Sequence, residues 1–131
     1  MTVGYFYNKE LFTKAGIAGP AKTWDEFFSD LEKLKTSGTS AISMDTGDGG
    51  WCTGILLSGL IGTNGDAGNK FMNTLQPTNY ETPEFIDAAK KIQLCFQKYT
   101  TTDAIGGKYD AAANNFLTGK TAMIFNGPWM I

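Results

Sequence analysis

Apolar residues follow two different periods along the chain, and the alternation of these periods predicts an α/β fold. Three short apolar runs, at 2–7, 40–44 and 121–125, have the composition and length typical of buried strands. The segments between them place apolar residues at three- and four-residue steps, which predicts helices. The helices are predicted at 8–16, 24–37, 51–62, 83–99 and 109–119, and 63–80 is predicted as a loop with at most one short helix. Because strands and helices alternate, we expect an α/β layer.

Two helix starts carry capping signals. Thr23 and Glu26 form a capping box, in which the Thr23 hydroxyl accepts from the Glu26 amide and the Glu26 carboxylate reaches back to the Thr23 amide. Thr82, followed by a proline and a glutamate, is the predicted N-cap of the helix at 83–99. In the helix at 24–37, Trp24 belongs to the apolar stripe and is assigned to the core, while Asp30 takes the solvent face. The predicted inward residues of the last two helices are Phe85, Ala89, Ile92, Phe96 and Tyr99, then Tyr109, Ala112, Ala113 and Phe116.

Composition and charge restrict the kinds of partner. With 42% hydrophobic and 13% aromatic residues, the chain has enough apolar material for a core. We expect one domain over 1–131, because no linker or sharp change of composition divides it. The 11 basic and 13 acidic residues are spread along the chain and leave no basic surface for nucleic acid or an anionic membrane. No apolar run approaches the roughly 18 residues of a spanning helix. A neutral small molecule is therefore the expected ligand.

Several kinds of chemistry are excluded by residue type and order. The chain has no histidine, which removes Ser-His-Asp and Cys-His catalysis and histidine zinc sites. Cys52 and Cys95 form no CxxC pair and are interpreted as buried thiols, with a disulfide between them left open. Gly119-Lys120-Thr121 resembles the end of a phosphate loop, but Asn114 replaces the required glycine, and a helix precedes while a strand follows. Gly119 is instead predicted to end a helix, and no cofactor is expected.

Acids in glycine-rich loops raise the question of a metal or an acid pair. Asp45, Asp48 and Asp66 do not meet the EF-hand spacing, since Leu56 stands where a bidentate glutamate is required. Structural turns are therefore favoured, and no metal site is expected. Asp48 is retained as a candidate hydrogen-bond acceptor for a ligand hydroxyl. Glycoside hydrolysis would need two facing acids near the tryptophans, and the candidates Asp45 and Asp48 are both expected to be too exposed.

Two of the tryptophans are placed where a ligand site would form. Trp51 and Trp129 each follow a glycine or proline between a strand and the next element, where open α/β sheets present binding sites. The negative face of an indole complements the C–H face of a sugar ring, so two such rings would bind a saccharide. The alternative is that each is a large core residue beside a turn.

The order of the motifs resembles a known family. YNKELFTKAGI, TWDEF, a tryptophan after a glycine loop, and AAANNFLTGKTAMIFNGPW are similar, in combination, to the extracellular solute-binding proteins, family 1. These proteins deliver sugars to ABC importers and include the maltose-binding protein. The resemblance extends from Tyr5 to the end of the chain. It implies a type II periplasmic-binding-protein fold, in which two α/β lobes close on the ligand about a hinge and catalyse no reaction.

The resemblance also implies that the chain is a piece of a longer protein. The 131 residues are expected to be most of the second, C-terminal lobe, beginning near its hinge crossing. Met1 is then expected to be an added start codon, standing where family members often place a polar ligand contact, and any leader is expected to lie outside the sequence. The parent protein is expected at the extracellular face of the membrane or in the periplasm, with a membrane permease as partner. Self-association of the truncated piece is expected, because its apolar edges would be bare.

Residue roles follow from the same resemblance. Trp129 matches an aromatic residue after Gly-Pro that stacks on sugar, and Trp51 matches an aromatic residue with the same role at the start of a buried helix. Tyr5, beside the hinge crossing, is expected either to reach the cleft or to point into the core. Further polar contacts are expected from Asp48 and Asn126.

Two other functions are compatible with the residues. The first is a carbohydrate-active hydrolase that uses the same aromatic platforms. The second is an interaction module in which Trp51 and Trp129 contact a protein.

Overall fold

The structure is a computed structural model that describes residues 2–131, so the expectation for Met1 lies outside the described residues. Within this range the strands are β1 (Gly4–Tyr7), β2 (Ser40–Ser43) and β3 (Thr121–Asn126). The helices are α1 (Lys9–Lys14), α2 (Trp24–Thr36), α3 (Trp51–Gly62), α4 (Gly65–Met72), α5 (Pro83–Lys98) and α6 (Tyr109–Leu117). Short 3-10 turns lie at Thr102–Ala104 and Pro128–Met130. The predicted alternation of strands and helices is confirmed, and α4 is the short helix allowed for in the loop.

The three strands form one mixed sheet with β3 at its centre. β2 runs parallel to β3, and β1 runs antiparallel to it, with Tyr5 opposite Phe125. Every residue of β3 is buried, as expected for a strand covered on both faces. Met123 and Phe125 belong to the larger core cluster, while Ile124 between them belongs to a smaller cluster with residues of α6. This alternation follows from the two-residue period of a strand.

The capping predictions are partly confirmed. The Thr23 hydroxyl accepts from the Glu26 amide over 3.1 Å, but the Glu26 carboxylate accepts from the amide of Lys22 (2.8 Å) instead of that of Thr23. Thr82 precedes α5 as predicted, yet its hydroxyl is buried and has no hydrogen-bond partner. Gly119 has a φ of +74° and ends α6 before β3 begins. This order confirms the helix-end interpretation and excludes a phosphate loop at this position.

Tertiary packing changes the burial of single positions in two helices. Asp30, predicted on the solvent face of α2, is buried because the loop 16–22 lies along that side of the helix. In α5, Ala89 is exposed, and the buried positions are Ala88 and Cys95. The other predicted inward residues of α5 pack on the core as expected, namely Phe85, Ile92, Phe96 and Tyr99. The contact of α5 with α3 therefore decides only which of the two alanines is buried.

The apolar helix predicted at 51–62 is confirmed as α3, which packs against α4, α5 and β3. Cys52 in α3 and Cys95 in α5 are both buried free thiols, so the disulfide left open is not formed. Burial raises the pKa of each thiol to about 12, and the nearby charge of Asp45 adds to the increase at Cys52. Of the helices in residues 2–131, none combines the length and apolar character required to span a membrane.

Candidate functional site

The two tryptophans meet where two parallel strands end. β2 leads through a glycine-rich loop to α3, whose first residue is Trp51, and β3 leads into the 3-10 turn that contains Trp129. Since β2 and β3 are parallel neighbours, their carboxyl ends lie at one edge of the sheet and bring both side chains together. The ring centroids are 5.8 Å apart, with 44° between the ring planes. Trp51 is 38% exposed and Trp129 is 51% exposed, so neither indole is enclosed in the core.

Both indole N–H groups are bonded within the protein. Trp51 Nε1 donates to Asn126 Oδ1 over 3.3 Å, and Trp129 Nε1 donates to Tyr109 Oη over 3.1 Å. Asn126 Nδ2 donates to the same tyrosine oxygen over 3.1 Å, which connects the two tryptophans. Asn126, expected as a polar contact for a ligand, is fully buried, with its amide directed to these neighbours. The indole pair therefore presents aromatic carbon to the solvent.

Gly127 lies against the ring of Trp129. Its φ of −105° and ψ of 178° are open to any residue, so backbone conformation does not require glycine here. A Cβ at this position would lie 2.7 Å from Cζ2 of Trp129 and nearer still to two other ring carbons. The Gly127 amide donates to Asn126 Oδ1 over 2.9 Å. The close approach of backbone and ring is therefore what requires a glycine.

A groove of about 1040 Å³ adjoins Trp51 but not Trp129. The aromatic and aliphatic side chains along it include those of Tyr5, Trp24, Ile55 and Phe125. Tyr5 is half-buried, and its Oη accepts from the amide of Ala21 over 3.0 Å. Burial raises the pKa of Tyr5 above its ordinary value. Tyr5 thus packs on the core with one part of its ring and faces the groove with another, which combines the two orientations expected from the sequence.

The loop between β2 and α3 places its two acids in opposite environments. Asp48 is exposed, has a φ of +50° and lies 3.8 Å from Lys108 Nζ; it does not line the groove. Asp45, expected to be exposed, is fully buried. Its Oδ1 accepts from the amide of Thr53 over 3.1 Å, and its backbone carbonyl accepts from the Thr53 hydroxyl over 2.7 Å. The prediction of exposure was wrong because the carboxylate bonds the first turn of α3, where free amides favour an acid.

The side chains at this edge of the sheet suit binding more than catalysis. Hydrolysis of a glycoside needs two carboxyl groups that face one bond. Asp45 is enclosed beneath α3, and Asp48 lies on the surface. Among residues 2–131, no three His, Cys, Asp or Glu side chains are grouped so that they could hold a metal ion. The indoles and the groove instead provide apolar surface on which a ligand can stack.

Three residues of the site were missed by sequence reasoning. Trp24, assigned to the core, also lines the groove, and its Nε1 donates to Thr63 Oγ1 over 2.6 Å. Tyr109 has only the pattern of an inward helical residue, and its contact with Trp129 becomes visible where α6 meets the end of β3. Of the three, only Gly127 has a local sequence signal. It directly precedes Pro-Trp, and a tryptophan at that spacing is able to fold its ring back over the backbone of the glycine.

Known proteins with similar sequences and structures are also binding proteins. The family model of the bacterial extracellular solute-binding proteins matches residues 1–131. The multiple sugar-binding protein of Streptococcus mutans is 28% identical over 133 residues, which cover 98% of this chain and 31% of that protein. The sn-glycerol-3-phosphate-binding periplasmic protein of Agrobacterium fabrum is 28% identical over 125 residues, or 91% of this chain and 28% of that protein. A chitin oligosaccharide binding protein of known structure gives a TM-score of 0.81 at 33% identity, over 97% of this chain and 32% of that one.

The chain spans about a third of the length of these relatives. The structural similarity confirms the predicted fold class, an α/β unit of the type II periplasmic-binding-protein kind. The family match covers the whole sequence, so this chain belongs to the bacterial extracellular solute-binding proteins.

Proposed function

We propose that the chain is the greater part of the C-terminal lobe of a receptor that captures a sugar for an ABC importer, without catalysing a reaction. The observation that carries this proposal is the pair of adjacent, exposed indoles whose N–H groups are already bonded to the protein. A surface of this kind buries the C–H face of a sugar ring and leaves the ring's hydroxyl groups free for other partners. The names of a sugar-binding relative and a chitin oligosaccharide binding structural neighbour support the same ligand class.

The polar part of the site is assigned to exposed groups at the same edge. Asp48, on the loop that leads to Trp51, is the candidate acceptor for a sugar hydroxyl, with Lys108 beside it. Tyr5 supports the groove next to Trp51. Asn126 is fully buried behind the indoles, so its role in this proposal is to support them and not to contact the ligand.

One lobe alone binds weakly. In a two-lobed receptor the closed state is stabilised because the ligand contacts both walls of the cleft. The 131-residue chain offers one wall, so we expect dissociation constants on the order of millimolar or weaker for the isolated chain. In this proposal the whole receptor supplies the second wall and binds the membrane permease. It is located at the extracellular face of the membrane or in the periplasm. The isolated chain is also expected to self-associate through apolar surface, such as the exposed side of the groove.

The proposal is tested by titrating the ¹⁵N-labelled chain with chitin oligosaccharides, raffinose and sn-glycerol 3-phosphate while the indole signals are followed. We expect oligosaccharides to shift the signals of Trp51 and Trp129. Trp51→Ala and Trp129→Ala should each weaken binding about tenfold, since a stacked aromatic contact contributes about 0.5–1.5 kcal/mol beyond its buried area. Leu75→Ala, at a fully exposed apolar position, is the matched control and should bind as the wild type does.

Three results would contradict the proposal. The first is a response to glycerol phosphate alone, which would indicate an anion site. The second is sugar binding that survives loss of both Trp51 and Trp129. The third is turnover of chromogenic glycosides that Asp48→Asn abolishes, which would establish the hydrolase instead.

A further inference from the structure

We infer that Asn126 and Tyr109 are positioning residues, which together form a hydrogen-bonded bridge that holds both indoles of the site in one arrangement. The inference deepens the proposed function, and rests on it for the identity of the ligand. The bridge itself is a property of the free chain. It consists of the bonds Trp51 Nε1 to Asn126 Oδ1, Asn126 Nδ2 to Tyr109 Oη, and Trp129 Nε1 to Tyr109 Oη.

The orientation of the Asn126 amide is determined by its neighbours. Its Oδ1 receives two N–H groups, from the backbone of Gly127 at 2.9 Å and from the ring of Trp51 at 3.3 Å. A flipped amide would direct its NH₂ group at both donors, so only one orientation is compatible with the surroundings. The Nδ2 group then points to Tyr109 Oη. Since Asn126 is fully buried, water does not compete for these bonds.

The hydroxyl of Tyr109 is likewise fully used. A phenolic oxygen accepts up to two hydrogen bonds and donates one. Tyr109 Oη accepts from Asn126 Nδ2 and Trp129 Nε1 and donates to Met130 Sδ at 3.7 Å. The Tyr109 hydroxyl has no capacity left for a ligand hydroxyl, and burial keeps the Asn126 amide away from one. The bridge therefore orients the rings, and the ligand meets only aromatic carbon.

The consequence is that both rings are ordered before a ligand arrives. Each exposed tryptophan would otherwise lose rotational freedom on binding, and a site that is ordered in advance avoids this cost. Trp51 begins α3 and Trp129 lies in the 3-10 turn Pro128–Met130, so the bridge connects side chains of two different elements. Without it, we expect sugar affinity to fall about 3- to 10-fold although both rings remain.

The test uses the three indole N–H signals of the ¹⁵N-labelled 131-residue chain, one for each tryptophan. Tyr109→Phe removes only the hydroxyl. We expect the Trp129 signal to shift and its exchange with water to accelerate about tenfold, in proportion to one lost hydrogen bond. The signal of Trp24, which is bonded to Thr63 Oγ1 at 2.6 Å, should not move. Thr63→Val is the matched control, and should shift the Trp24 signal alone.

The wild-type chain provides a second measurement that does not depend on a variant. Although Trp51 and Trp129 are 38% and 51% exposed, their indole protons should exchange more slowly than those of free tryptophan. Exchange as fast as in free tryptophan would overturn the inference. So would a Tyr109→Phe variant in which the Trp129 signal is unchanged.

Sugar titration separates this inference from the proposed function. If Tyr109→Phe releases Trp129 but no sugar shifts either ring, the bridge stands and the proposed ligand is wrong. If sugars shift both rings and Tyr109→Phe changes neither the Trp129 signal nor the affinity, the ligand stands and the bridge is wrong.

Discussion

Replacing Gly127 by alanine is expected to displace the ring of Trp129 and weaken ligand binding, while the fold loses no more than about 1.5 kcal/mol of stability. The backbone at Gly127 is extended, with φ of −105°, so alanine adds no conformational strain. The new methyl group would lie 2.7 Å from Cζ2 of Trp129, with two other ring carbons nearer still. Carbon atoms in contact are ordinarily about 3.5–4.0 Å apart, so the ring must move outward by roughly 1 Å or more.

The size of the effect follows from what that movement breaks. The bond from Trp129 Nε1 to Tyr109 Oη is 3.1 Å long, and an outward shift of about 1 Å takes it beyond hydrogen-bonding distance. Its loss lowers the free energy of unfolding by about 0.5–1.5 kcal/mol. The ring is half exposed, so little packing is lost with it. The stacking platform is displaced, and we expect sugar affinity to fall about tenfold, equivalent to about 1.4 kcal/mol.

Two measurements on one variant check this reasoning. Urea unfolding gives the change in stability, and titration with the tightest-binding oligosaccharide gives the change in affinity. Gly19→Ala is the control, because a Cβ there has no atom within 4 Å. An unchanged Trp129 indole signal in Gly127→Ala would refute the account of the close approach. Loss of stability well above 2 kcal/mol would also refute it, since the turn would then be structural.

Three further predictions concern stability. Gly68→Ala should lower the free energy of unfolding by about 1–3 kcal/mol, because its Cβ would collide with the backbone carbonyl of Ile61 in α3. Gly54→Ala should raise it by about 0.5–1 kcal/mol, because a Cβ there has no atom within 4 Å, and equal effects of the two changes in urea unfolding would contradict this. The thiols of Cys52 and Cys95 have folded pKa values of about 12, above the ordinary 9.0, so the unfolded chain loses these protons first. The contribution of the two thiols to the free energy of unfolding is therefore fully present below pH 9 and falls by about 1.4 kcal/mol per pH unit for each thiol as the pH rises towards 12. The double alanine variant should show a flatter profile of stability between pH 9 and 12. Leu31→Ala, at a fully buried position, should cost about 2–5 kcal/mol in urea unfolding without moving the Trp129 signal, and a shift of that signal would show that core and site are coupled.

Local residue chemistry was sufficient for most elements of secondary structure. The β3 run and the α3 run were recognisable because strand and helix periods are properties of neighbouring residues. Thr23 and Gly119 marked a helix start and a helix end through bonds and dihedral angles that involve only adjacent residues. The positions of Trp51 and Trp129 at element boundaries were readable for the same reason. The family could be identified because these local motifs occur in a specific order.

Contacts between residues distant in sequence decided the rest. Asp30 and Asp45 are buried because a loop covers the first and the amide of Thr53 bonds the second, and neither neighbour is visible in a hydrophobic pattern. Ala88 replaces Ala89 on the buried face of α5 because the packing of that helix on α3 sets its rotation.

The binding site shows most clearly which features local sequence predicts and which depend on long-range contacts. The order of the elements along the chain was enough to predict two tryptophans where strands end. That the rings lie 5.8 Å apart depends on β2 and β3 pairing in parallel. That their N–H groups share a bridge depends on Tyr109 of α6 meeting Asn126 of β3, which are 17 residues apart in the chain. Hydrogen bonds of this kind follow from the packing of a helix against a strand, and a local pattern carries no information about that packing.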